Sequence, residues 1–165
     1  MKRFSIALFL VMFSAVAMTV PVRAATSRDA SFVRRAQSDA LGSYALAALA
    51  RGRARNAAVR ALAVRMVSAS DHTNLYVRSY ASRHDITLTN EPVLRATAQY
   101  GNIAGAHGAA FDRAFTNAIH IDANIALGTY QSEAQHGDDP TLRSFAAHQA
   151  AYLEKLSSTA KKLRN

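Results

Sequence analysis

The stretch GAAFDRAFTNAIHIDANIAL, Gly108–Leu127, decides the fold. Phe111, Phe115, Ala118 and Ile125 follow one another at spacings of four, three and seven, the period of one helical face rather than the alternation of a strand. That period predicts a long helix from about Ala109 to Gly137, a glycine suited to a left-handed C-terminal cap. Two polar residues sit in its middle. Asp122 shares the apolar face, together with Glu133 about three turns further on, whereas His120 falls opposite it.

Working outward, the turn GDDP offers Asp138 or Asp139 as N-cap and Pro140 as first residue of a last helix. Its expected face is Leu142, Phe145, Gln149, Tyr152, Leu156 and Leu163. Upstream, Gly101, Gly105 and Gly108 mark a flexible crossover, preceded by a short helix that Pro92 could open and that reaches Tyr100. Before it, Val59, Leu62, Met66, Thr73, Val77 and Tyr80 predict a helix that begins after Asn56 and stops near His84-Asp85. The first helix, with Asp29 or Ser31 as N-cap, carries Phe32, Ala36, Asp39, Ser43, Leu46 and Ala50 on one face until Gly52 interrupts it. The links are short, long and short. An all-α, ferritin-like antiparallel four-helix bundle with a long crossover between helices two and three is therefore expected.

Composition agrees, since alanine is abundant, Trp and Cys are absent and only three prolines occur. At the N-terminus, Met1-Lys2-Arg3, an apolar run Phe4–Val20 and small residues at Val22 and Ala24 describe a signal peptide over residues 1–24. An uncleaved anchor is the alternative, because a run of about seventeen residues reaches the lower limit for a membrane span. Cleavage leaves one domain over residues 25–165 that does not span a membrane. It removes Lys2, Arg3 and Arg23, so Lys+Arg falls from 20 to 17 against 11 acids and the net charge from +9 to +6. Without Cys there is neither a disulfide framework nor a lipidated cysteine.

The segments GAAFDRAF (Gly108–Phe115) and DDPTLRSFA (Asp138–Ala146), with VRALAVRMV (Val59–Val67) and HDITL (His84–Leu88), resemble the bacterial exported family called domain of unknown function 4142. The similarity runs from about Phe32 to Leu163, and Phe111-Asp112-Arg113 is its most telling part. The resemblance implies a ferritin-like bundle in the periplasm or at the outer membrane, with no established activity. It also implies a glutamate in the first helix and histidines in the other three. The corresponding positions here are Ser43, Ser70, Ala123 and Leu156, while the pair Asp71-His72 stands beside that register rather than in it.

A di-metal centre in a bundle needs inward glutamates and two Glu-x-x-His pairs. One pair exists, Glu133-Ala-Gln-His136, and with Asp39 and Asp122 it makes a possible relocated metal site. The bland alternative is that these acids lie at the edge of the core and pair with arginines. The other histidines do not gather. His72 and His107 read as solvent-facing, and His84 and His148 as lying near packed faces. No cysteine nucleophile, Gly-x-Ser-x-Gly elbow or phosphate-cradling loop is present, so catalytic residues and cofactors are not expected.

Charge is the remaining signal. Between Asp39 and Asp71 stand Arg51, Arg53, Arg55, Arg60 and Arg65 without an acid among them, a cluster able to bind anions. Aromatic side chains are not interleaved with them, and an exported protein does not meet nucleic acid. The expectation is a non-enzymatic surface-binding protein whose partner is a protein or an anionic envelope component, with the relocated metal site as the alternative.

Overall fold

A computed structural model describes residues 25–164; the expected signal peptide, residues 1–24, lies outside the described residues. Among the described residues five helices follow in order, α1 Ser27–Arg53, α2 Ala57–Arg83, α3 Leu94–Ala104, α4 Gly108–His136 and α5 Pro140–Arg164. The described residues contain no strand.

Three of the four long helices begin where a side chain supplies a cap, and α4 begins after His107 without one. Thr26, not Asp29 or Ser31, is the N-cap of α1, its hydroxyl accepting from Asp29 N at 3.2 Å, so Asp29 belongs to the first turn. Asn56 caps α2 by accepting from Ala58 N at 2.8 Å. Asp139 does the same for α5, accepting from Thr141 N and Leu142 N, with Pro140 in the position where a missing N–H costs least. Helix α1 continues through Gly52 to Arg53. Gly137 differs from expectation: its backbone is extended (φ −60°, ψ 149°), not left-handed. Space is what favours glycine there, because a Cβ would lie 2.8 Å from the backbone oxygen of Glu133 as well as 2.5 Å from its Oε1.

Helices α1 and α2 pack along their length as one hairpin, and α4 and α5 as another. One apolar cluster, with Leu46, Val59, Met66, Phe111, Phe115 and Leu156, fills the half nearer the α1–α2 turn. A second, with Phe32, Val33, Val77, Tyr80, Tyr130 and Leu142, fills the other half, where Phe32 meets Tyr130 edge to face at 5.2 Å. All six apolar-stripe residues expected on α2 are buried, as are Phe111, Phe115 and Ala118 of α4. No described helix is long and apolar enough to cross a membrane.

Helix α3 touches α1 and α4 and covers part of the seam between them. Val93 N donates to Ser38 O at 3.2 Å, and Gly42 of α1 lets α3 approach so closely that a Cβ there would overlap the Ala96 methyl group. Beyond α3 the seam is open, and this explains why Ile125, expected in the core, is 44 % exposed. Gly42→Ala is expected to destabilise the protein by about 1–3 kcal/mol through overpacking against α3. Gly52→Ala, where a Cβ meets nothing within 4 Å, should instead gain up to about 1 kcal/mol of helix propensity. Urea denaturation of the two variants checks both signs.

Candidate functional site

Asp39 of α1 and Asp122 of α4 face each other across the seam that α3 covers, and Arg95 of α3 stands between them. Its Nε donates to Asp122 Oδ1 at 2.5 Å and its Nη2 lies 3.8 Å from Asp39 Oδ1. Arg35, one turn before Asp39, donates to Asp39 Oδ2 at 3.2 Å, and Gln99, one turn after Arg95, donates to Asp122 Oδ1 at 3.1 Å. Burial pushes the Asp39 carboxyl above its ordinary range, against the pull of Arg35 and Arg95 and with some help from Asp122. Beneath this network lie two small cavities of about 30 and 50 Å³, both bordered by Asp39, Ser43, Met66 and Leu156.

Glu133 and His136 are not part of this arrangement. Glu133 lies eleven residues past Asp122, about 16 Å along the helix axis. Its carboxyl is buried near Asp29, and the His136 side chain is exposed. Among the described residues no three His, Cys, Asp or Glu side chains gather so as to hold a metal ion.

The other histidines divide. His72 and His107 are exposed as expected, but so is His148, and His84 stacks on Tyr80 with ring centroids 4.1 Å apart. His120 is not on the outer face. Its Nδ1 lies 2.9 Å from Ser157 Oγ and 3.2 Å from Ser157 O, because α4 packs α5 on a flank that a single-face reading leaves out.

All five cluster arginines are exposed. The turn that carries them is held by Asp112 of α4, whose two carboxylate oxygens accept from Arg55 N (3.1 Å) and Asn56 N (2.8 Å). Arg53 donates to Ala104 O at the end of α3, and Arg60 to Ala54 O at 2.7 Å. Asp112 thereby places the start of α4, with exposed Arg113, at the same end of the molecule. The C-terminus of α5 arrives there too, since Arg164 donates to Asn117 Oδ1 at 3.0 Å, bringing Lys161 and Lys162. Asp112, at this end, is buried and engaged by backbone N–H groups.

A family model described as Domain of unknown function (DUF4142) matches residues 15–163. The chain belongs to this family. No curated protein and no solved structure matches it. Phe111-Asp112-Arg113, the segment that most resembles domain of unknown function 4142, now has a physical reading: two core aromatics, Phe111 and Phe115, flank the acid that closes the α1–α2 turn. Of the positions at which the resemblance implies a glutamate and three histidines, one from each long helix, Ser43 and Leu156 border both small cavities, Ala123 the first and Ser70 the second. Here they present two hydroxyls and two apolar side chains. With Arg95 already between Asp39 and Asp122, these residues do not fit a di-metal centre.

Proposed function

We propose that this family member is an exported, non-enzymatic protein of the periplasm or outer membrane that docks on an anionic component of the cell envelope. In this reading the two hairpins form a ferritin-like antiparallel four-helix bundle, with α3 as a crossover clasp, and the end at the α1–α2 turn is the binding surface. One observation carries it: Arg51, Arg53, Arg55, Arg60, Arg113 and the α5 lysines meet at one end, and Asp112, at that end, is buried and capped. Such a surface attracts phosphate and carboxylate groups and holds them through charge-assisted hydrogen bonds. The Met1–Ala24 pattern supports the exported location. The alternative, a metal protein with a site relocated to Asp39, Asp122, Glu133 and His136, is the weaker reading, since the first two hold Arg95 and the last two lie far along α4.

Sedimentation with vesicles tests the docking. The purified protein should pellet with phosphatidylglycerol vesicles at low ionic strength and be released by salt, as the screening length shrinks from about 10 Å at 0.1 M to about 3 Å at 1 M. Equal binding to phosphatidylcholine vesicles, or binding indifferent to salt, contradicts it.

A further inference from the structure

Glu133 is a buried carboxyl that neither the Arg95 network nor the basic end uses. It is 3 % exposed, its Oε1 has no hydrogen-bond partner, and Gly137 packs against that oxygen too tightly for a Cβ. Facing it is Asp29, 2 % exposed, from the first turn of α1. The Asp29 carboxylate accepts from Asp138 N at 3.0 Å, so it also holds the loop between α4 and α5. Two charged carboxylates repel strongly in so dry a place, and an orphaned buried oxygen is costly. A proton on Glu133 removes the repulsion and gives the pair a hydrogen bond.

We propose that a protonated Glu133 donates to the Asp29 carboxylate and so forms a latch between the first turn of α1 and the α4–α5 corner, which slackens when Glu133 loses that proton. The charges around the pair come from every neighbouring element. Arg28 of α1 donates to His136 O and draws the Glu133 proton off, while Asp138 in the loop favours keeping it. Asp139 is engaged by the start of α5 and by Tyr80 of α2 at 3.0 Å, Arg143 of α5 donates to Gly137 O, and the His136 side chain is exposed one turn on.

Burial first, and then Asp29, push the Glu133 carboxyl from its ordinary 4.5 up to about 7. Because the folded protein holds this proton more tightly than the unfolded chain, the latch contributes fully below about pH 4.5 and is lost as pH rises through about 7. Its range is therefore the mildly acidic to neutral one. Opening frees the N-terminal turn of α1, not the core.

Carboxyl-carbon NMR of the purified protein reads the latch directly. Glu133 should titrate near pH 7, and the Asp138 amide should lose exchange protection over the same range. In parallel, the melting midpoint of the wild type should fall by about 5 °C between pH 5 and 8 relative to Glu133→Gln, whose amide donates to Asp29 at every pH. A Glu133 titration near 4.5, or identical pH profiles for the two proteins, overturns the proposal.

Discussion

Replacing Arg95 by Ala is expected to destabilise the protein by about 3 kcal/mol, read from urea denaturation at neutral pH. The guanidinium is the cation between two largely buried carboxylates, whose side chains are 10 % and 16 % exposed. Breaking such a pair by removing one partner leaves charge without compensation and typically costs about 3–5 kcal/mol. The lower end applies here because Arg35 and Gln99 keep one contact each with Asp39 and Asp122. Arg95→Met, which keeps most of the volume, should lose nearly as much, so that charge and not packing is identified as the cause. Adding Asp39→Asn and Asp122→Asn to Arg95→Met should recover most of the loss, since a network removed whole is far less costly than one removed in part. If Arg95→Ala denatures like the wild type, the network is not what fastens α3 to the seam.

Asp112→Ala should cost about 2–4 kcal/mol by the same measurement. Each oxygen of this buried carboxylate takes one backbone N–H of the α1–α2 turn, and hydrogen bonds to a charged group contribute about 1.5–3 kcal/mol. Alanine leaves Arg55 N and Asn56 N without a partner at the start of α2. Asp112→Asn retains one accepting oxygen and should fall between the two. The turn also carries the basic cluster, so Asp112→Ala is expected to weaken vesicle binding without touching a single cation. A stable Asp112→Ala protein with unchanged binding separates the turn from the function and contradicts this account.

Helix positions were readable because each long helix announces itself by its period, and α2 and α5 by their caps as well. Asn56, His84, the GDDP turn and the stripe from Val59 to Tyr80 all lie where periodicity places them. The errors share a physical cause: a single apolar face describes a helix with one partner, and α4 has three neighbours, α1, α3 and α5. His120 is therefore engaged on the α5 flank, and Ile125 is open to solvent where α3 no longer covers the seam. At Gly137 the preference for glycine came from the backbone and carboxyl oxygens of Glu133 beside it, which local turn chemistry does not encode.

The candidate site was legible in part. Asp39 and Asp122 face one another, and pairing with arginine was the bland alternative already open in the sequence. Arg95 itself gave no signal, because only the path of the crossover brings α3 across the seam. Asp112 stood inside the most telling family segment, yet its role depends on a turn 56 and 57 residues earlier in the chain. A carboxylate in the first turns of a helix, opposite an acid-free arginine turn, is the pattern that points to such a cap.

The docking proposal meets its most direct test in two triple variants that change net charge equally. Arg51→Ala/Arg55→Ala/Lys161→Ala strips exposed cations from the α1–α2 end, and Arg34→Ala/Arg78→Ala/Arg83→Ala strips as many exposed ones from α1 and α2 toward the other end. At about 1 kcal/mol per cation near an anionic surface, the first triple should bind phosphatidylglycerol vesicles roughly 100-fold more weakly, with the second close to wild type. Equal weakening by both triples, or none by the first, would contradict a binding surface at the basic end.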